Sequence, residues 1–167
     1  RPLAAYRWRK SRVGVSQSGG LFMSELATLD PIEETGDMGS YNHSTVQANL
    51  AFLFKRTGRY SVSTELSLDI SRFQADQSKL GNEIKPDVCI YPKRGLSRPY
   101  DILKMTEMPL VAVEILSPKQ GAYEILEKFE VYFALGVKSC WLVDPTTEIV
   151  AVYSAFDQHQ TFSAGEI

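Results

Sequence analysis

Two acidic residues stand where apolar β-strands would normally exclude them. Glu114 interrupts "PLVAVEILSPK" and Asp87 opens the apolar part of "KPDVCIYP". Moving a lone carboxylate out of water is costly unless a partner compensates it, so Glu114 in particular calls for a purpose. Side chains alternate along a strand, which groups Glu114 with Leu110, Ala112 and Leu116, and Asp87 with Cys89 and Tyr91. If the two strands pair with their acidic faces together, the carboxylates repel unless a cation lies between them. Oxygen ligands of this kind suit a hard divalent ion, Mg²⁺ or Mn²⁺.

The chemistry that uses such a site is phosphodiester hydrolysis, in which the metal generates hydroxide and offsets charge on the phosphate oxygens. A fixed cation near the attacking water would complete it, and Lys128 is the candidate. It falls at the flank of a helical apolar stripe, one turn before Tyr132, so its stem can run along the core while its ammonium reaches the sheet's edge. Each residue also has a plainer reading. Lys128 follows Glu124 by four positions, the order of an exposed helical ion pair. Asp87 after Pro86, and Asp144 before Pro145, suit turns. His43 suits a helix start, and hydrogen bonds alone would satisfy Glu114.

The elements that must position these groups follow from periodicity. "YNHSTVQANLAFLFKRTG" reads as a helix with Val46, Leu50, Leu53 and Phe54 on one face, Asn42 or Ser44 as cap and Gly58 as stop. "RYSVSTELSLDI" alternates as one long half-buried strand, with Tyr60, Val62, Leu66, Leu68 and Ile70 facing the core. Residues 71–83 form a loop or hairpin tip, and "IKPDVCIYP" is a short strand entered through proline. Residues 92–108 read as a loop carrying Lys93, Arg94, Arg98 and Lys104. The strand over 110–117 ends at Ser117-Pro118, and a helix over roughly 119–136 has Ala122, Leu126, Phe129 and Phe133 as its stripe and Gly136 at its end. "SCWLVD" and "EIVAVY" are two closing strands, which makes the order αβββαββ.

Composition limits the function classes. A chain of 167 residues with 44% hydrophobic content is long enough for a single cored domain. A formal net charge of −2 excludes a generally polybasic nucleic-acid or membrane binder. The first residues are an exception, with Arg1, Arg7, Arg9, Lys10 and Arg12 interleaved with Tyr6 and Trp8. That cluster suits either a phosphate-tracking arm or a solvated tail ending in "SQSGG". The expected division is a basic, flexible segment over 1–23 and a single domain over 24–167. Cys89 and Cys140 lie in apolar runs without zinc-ligand spacing, which fits buried small side chains in a reducing cytoplasm. No signal-peptide pattern and no membrane-length apolar run is present, so no membrane partner is expected.

Taken together, "KPDVCIYP", "VAVEILSPK", a lysine in the following helix and "GVKSCWLVDPTTEIVAVY" resemble the Uma-two family of restriction-endonuclease-like proteins, within the PD-(D/E)XK nuclease superfamily. The resemblance runs from about Met38 to Tyr153. It includes "NHSTVQANL", similar to that family's His-Ser-x-x-Gln segment, and Glu65, which falls where many members carry a glutamate in the long strand. It implies an α/β fold in three layers, a central mixed sheet flanked by helices. It further implies Asp87 and Glu114 as ligands of Mg²⁺ or Mn²⁺, the Ile115 carbonyl as a third ligand, and Lys128 positioning or activating the water.

One departure matters. Where the superfamily usually has lysine two residues after the glutamate, this chain has Leu116, so the lysine must come from the helix, with Lys119 as rival to Lys128. The expectation is therefore a metal-dependent endonuclease, on DNA in the first instance, with His43, Gln47 or Glu65 assisting, Lys93, Arg94 and Arg98 along the phosphates, and a homodimer to cut two strands. The alternative is the same fold without the chemistry, a module that binds nucleic acid or a protein partner.

Overall fold

Ser40 starts the first helix by accepting a hydrogen bond from the His43 main-chain N–H at 3.3 Å, so the cap lies just ahead of the expected Asn42 or Ser44. The helix, α1, spans Tyr41–Arg56, carries Lys55 and Arg56 in its last turn, and gives way to Gly58 at φ 69. Val46, Leu50 and Phe54 pack on the sheet, but Leu53 is half exposed: the stripe is narrower than the sequence suggests. The computed structural model describes residues 40–73 and 80–163, so the basic segment 1–23 and the acidic stretch 24–39 lie outside the described residues.

The strand expected over residues 60–70 is two strands. β1 covers Tyr60–Thr64 and β2 covers Leu68–Asp69, with Glu65 between them at φ 52. That left-handed residue turns the chain, so that residues of the same parity before and after it reach opposite faces of the sheet. Tyr60 and Val62 join the core under α1, whereas Leu66, Leu68 and Ile70 join the other core. β2 pairs antiparallel with β3, Glu83–Ile84, and residues 74–79 of the loop expected between them lie outside the described residues.

β4, Val88–Pro92, and β5, Val111–Ile115, pair antiparallel; α2, Ala122–Ala134, then carries the chain across to β6, Ser139–Asp144, which runs parallel to β5. β7, Ile149–Ala155, returns antiparallel, followed by β8, Gln158–Ser163, a strand the sequence pattern does not reveal because only Phe162 marks it as apolar. Among the described residues the main sheet has the order β1-β4-β5-β6-β7-β8. It is mixed, as expected for a β-α-β crossover set among hairpins.

Alternation on the central strands builds a core on each face. Val88, Ile90, Val113, Ile115 and Val143 face α1. Cys89, Tyr91, Ala112, Cys140, Ala151 and Tyr153 face α2, where they meet Ile125, Phe129 and Tyr132. The result is the helix–sheet–helix layering that the sequence analysis anticipates. The α2 stripe, however, is centred on Ile125, Phe129 and Tyr132, not on Ala122, which is exposed. Gly136, at φ 97, ends that helix.

Phe129 is fully buried and meets Tyr153 edge-on with ring centroids 5.2 Å apart, which fixes α2 to the sheet. Phe129→Ala should lower the unfolding free energy by about 3–5 kcal/mol. Urea denaturation followed by tryptophan fluorescence measures it, and a loss below about 1 kcal/mol would mean that α2 is held elsewhere.

Candidate active site

The β4–β5 ladder pairs Val88 with Val113, and one further step of that register sets Asp87 across from Glu114. Asp87 immediately precedes β4 and Glu114 is the penultimate residue of β5, so both carboxylates lie at one end of the sheet. Antiparallel pairing puts them there; proximity in sequence does not.

Glu114 is 2% exposed and both of its oxygens are engaged from α2. Tyr132 Oη donates to Oε1 at 2.6 Å, and Lys128 Nζ donates to Oε2 at 2.8 Å. Four helical residues separate these donors, about 40° of rotation, so a stripe that buries Tyr132 also carries Lys128 toward the sheet. Burial pushes the Glu114 carboxyl up to about 7, against the Lys128 charge, and the Asp87 charge adds to the rise. The Tyr132 phenol is pushed well up, first by burial and then by the Glu114 charge, and so remains a donor.

Asp87 is held by two layers at once. Its Oδ2 accepts from the Ile115 main-chain N–H at 2.6 Å, and its Oδ1 lies 3.1 Å from His43 Nε2 on α1. One turn along α1, Gln47 donates to the Asp87 carbonyl at 3.0 Å and to Glu65 Oε1 at 3.3 Å. The Glu65 main-chain N–H reaches the same carbonyl at 3.3 Å, so the backbone break after β1 is also where this strand joins the site. Burial raises the Asp87 carboxyl above the usual range, opposed by the Ile115 N–H and by His43.

Asp87, Glu114, Ile115, Lys128, His43, Gln47 and Glu65 therefore converge. Lys119 is exposed in the turn after β5. The basic loop does not converge with them. Lys93 and Arg94 follow the carboxyl end of β4, the opposite end of that strand from Asp87, and Arg98 lies further along the same loop. Arg94 also makes two hydrogen bonds to Glu107, at 2.8 and 3.0 Å, and stacks over Tyr91 at 4.5 Å, so its charge is already matched. Tyr132 is the member of the site to which the sequence analysis gives no role, because a stripe of Ala122, Leu126, Phe129 and Phe133 leaves it on the flank. Its spacing of four from Lys128 was the available signal. Asp144 is the last residue of β6, and its carboxylate accepts from the Thr146 and Thr147 main-chain N–H groups of the turn that follows.

The two cysteines are free and buried on the α2 face, with the Cys89 thiol pushed up to about 12 by burial. They act as core, in line with the sequence reading. Among the described residues no helix is long and apolar enough to cross a membrane.

Residues 31–166 match the model of the family Uma2, described as "Putative restriction endonuclease". The chain belongs to the Uma2 family. In fold it is similar to the "putative nuclease belonging to DUF820 from Anabaena variabilis ATCC 29413", with a TM-score of 0.61 and 20% identity over 75% of this chain and 69% of that one. A second similarity, to the "DrdV-DNA complex", has a TM-score of 0.42 and 16% identity over 76% of this chain and 11% of the other, too low to bear on the fold. No curated protein matches. By family this Uma2 chain is restriction-endonuclease-like, and in fold it is similar to a "putative nuclease".

The raised carboxyl of Glu114 has a thermodynamic consequence. It moves from an ordinary 4.5 to about 7, so the folded chain holds this proton more tightly than the unfolded chain. The associated stability is full below about pH 4.5 and is lost as the pH rises to about 7. Glu114→Gln should remove this dependence. The variant's urea midpoint relative to wild type should therefore rise between pH 5 and pH 8; an unchanged difference would mean that Glu114 does not titrate in that window.

Proposed function

We propose that this Uma2 chain is a metal-dependent endonuclease that hydrolyses phosphodiester bonds of DNA. The observation that carries the reading is the buried Glu114 carboxylate, set across from Asp87 and held by a lysine from the next helix at 2.8 Å. Two carboxylates and a nearby ammonium are the groups that this hydrolysis needs.

The donor set fits a hard divalent cation. Carboxylate and carbonyl oxygens are the ligands that Mg²⁺ and Mn²⁺ prefer. Burial pushes both acids toward their neutral forms, and the Asp87 charge raises Glu114 further, a strain that a cation between them would relieve. Among the described residues no three His, Cys, Asp or Glu side chains gather as a metal cluster. Asp87 and Glu114 would therefore be joined by the Ile115 carbonyl as the third protein ligand. When bound, the cation would supply positive charge that favours a hydroxide nucleophile near neutral pH and offsets charge on the phosphate.

The chain's own residues supply the remainder. Lys128, 17% exposed at its side chain, reaches from the buried carboxylate toward solvent and would orient the attacking water through Nζ. His43 and Gln47 fix Asp87 from the α1 side, through its carboxylate and its carbonyl, and Gln47 ties Glu65 into the same network. Cutting both strands at one position calls for two such sites, hence a homodimer on the duplex.

A specific observation favours a second reading, a binding module without catalysis. Each carboxylate already has a protein donor at both oxygens, Tyr132 and Lys128 for Glu114, Ile115 and His43 for Asp87. A carboxylate so satisfied is stable without a metal. Supercoiled plasmid separates the two readings. The wild type should nick it in Mg²⁺ or Mn²⁺ and stop on chelation, while Glu114→Ala and Lys128→Ala should each lower the rate by about 10²-fold or more. DNA binding without cleavage by the wild type would establish the second reading, and cleavage that survives Glu114→Ala would place the activity outside this site.

A further inference from the structure

Glu114 is gripped unequally. Tyr132, on Oε1, is fully buried and makes a hydrogen bond of 2.6 Å, while Lys128, on Oε2, keeps 17% of its side chain in solvent. We propose that Tyr132 is the positioning residue that fixes Glu114 as a divalent-cation ligand, holding Oε1 so that Oε2 is the oxygen presented at the open edge of the site. The inference rests on the metal-dependent reading above and deepens it.

The physical argument concerns freedom of rotation. A glutamate has three side-chain torsions, and the last is broad and nearly two-fold, so a carboxylate without a lateral partner samples many orientations. A ligand that must be ordered on binding loses affinity by that entropy. The Tyr132 ring cannot follow such motion. It is clamped in the α2 core beside Phe129, with ring centroids 6.4 Å apart, and its main-chain carbonyl accepts from the Val137 N–H at 3.0 Å. A short hydrogen bond to a carboxylate, with both partners buried, is among the stronger neutral-donor contacts available. Lys128 is a poorer anchor, because its long stem reaches the site's exposed edge and its ammonium is a compact charge without directional demands.

A structural role alone would make Tyr132 only the donor that satisfies a buried acid. The experiment therefore reads cation binding directly, by electron paramagnetic resonance titration of free Mn²⁺ at fixed pH without DNA, alongside thermal unfolding and plasmid kinetics. Tyr132→Phe removes one hydroxyl. It should weaken Mn²⁺ binding by about 10- to 100-fold, the usual effect of losing a partner behind a metal ligand, and lower kcat with KM for DNA unchanged. Tyr132→Phe that binds Mn²⁺ within two-fold of wild type overturns the assignment, whatever its melting temperature.

Lys128→Met gives a second test that does not depend on the tyrosine variant folding. Loss of a neighbouring positive charge should leave Mn²⁺ affinity equal or tighter, and a ten-fold loss would make Lys128 the positioning residue and overturn the proposal. Glu114→Gln separates the two levels of the argument. Wild type that binds no Mn²⁺, or binds it no better than Glu114→Gln, defeats the metal-dependent reading itself and the proposal with it. Wild-type binding lost in Glu114→Gln and kept in Tyr132→Phe defeats only the role of Tyr132.

Discussion

A charged side chain buried near the end of an interior strand must be compensated from outside its own strand, and the arrangement of this fold around Glu114 follows that requirement. Its neighbours Val113 and Ile115 are fully buried in the opposite core, and Ala112 and Leu116 on its own face are apolar. The compensation comes from α2, which supplies both a phenol and an ammonium to the same carboxylate. Even so, its proton is held to about 7, because burial outweighs the partners. A group balanced near neutrality, beside a second acid, responds strongly to any added cation.

The layering explains how donors from two helices meet at one strand end. Asp87 emerges where β4 begins, beyond the ladder, so it belongs to neither face and is reached from α1 through His43 while bonding the β5 main chain at Ile115. Glu114 lies one residue earlier on β5 and faces α2. The site thus occupies the rim of the sheet, where the α1 layer, the strand ends and the α2 layer converge. The break at Glu65 belongs to the same economy of space. It ends β1 at that rim, hands one main-chain N–H to Asp87, and frees the following residues to fill the α2-side core.

The interior of the fold was largely legible. Alternation on β4 to β7 and the capped, amphipathic α1 are local signals, since a residue's face on a strand depends only on parity. What escaped detection depends on partners distant in sequence. The positive φ of Glu65 leaves the polar–apolar alternation intact while reversing its meaning in space. β8 is mostly polar because it is an edge strand, paired on one side by β7 and exposed along most of its length. The basic loop looked like a phosphate track, yet Glu107 lies far enough along the chain that only folding reveals its pairing with Arg94.

The sequence by itself determined that Glu114 and Asp87 are out of place in apolar strands, because the cost of burying a carboxylate is a property of the residue and its immediate neighbours. It also determined the family, through motifs that keep their order along the chain. Tertiary structure alone decided which groups answer those charges. The rotation of α2 about its axis is set by packing Ile125, Phe129 and Tyr132 against the sheet, and that rotation turns Lys128 inward to Glu114 and places Tyr132 beneath it. A helical wheel gives the angles between residues but not the zero of the angle, which the core supplies.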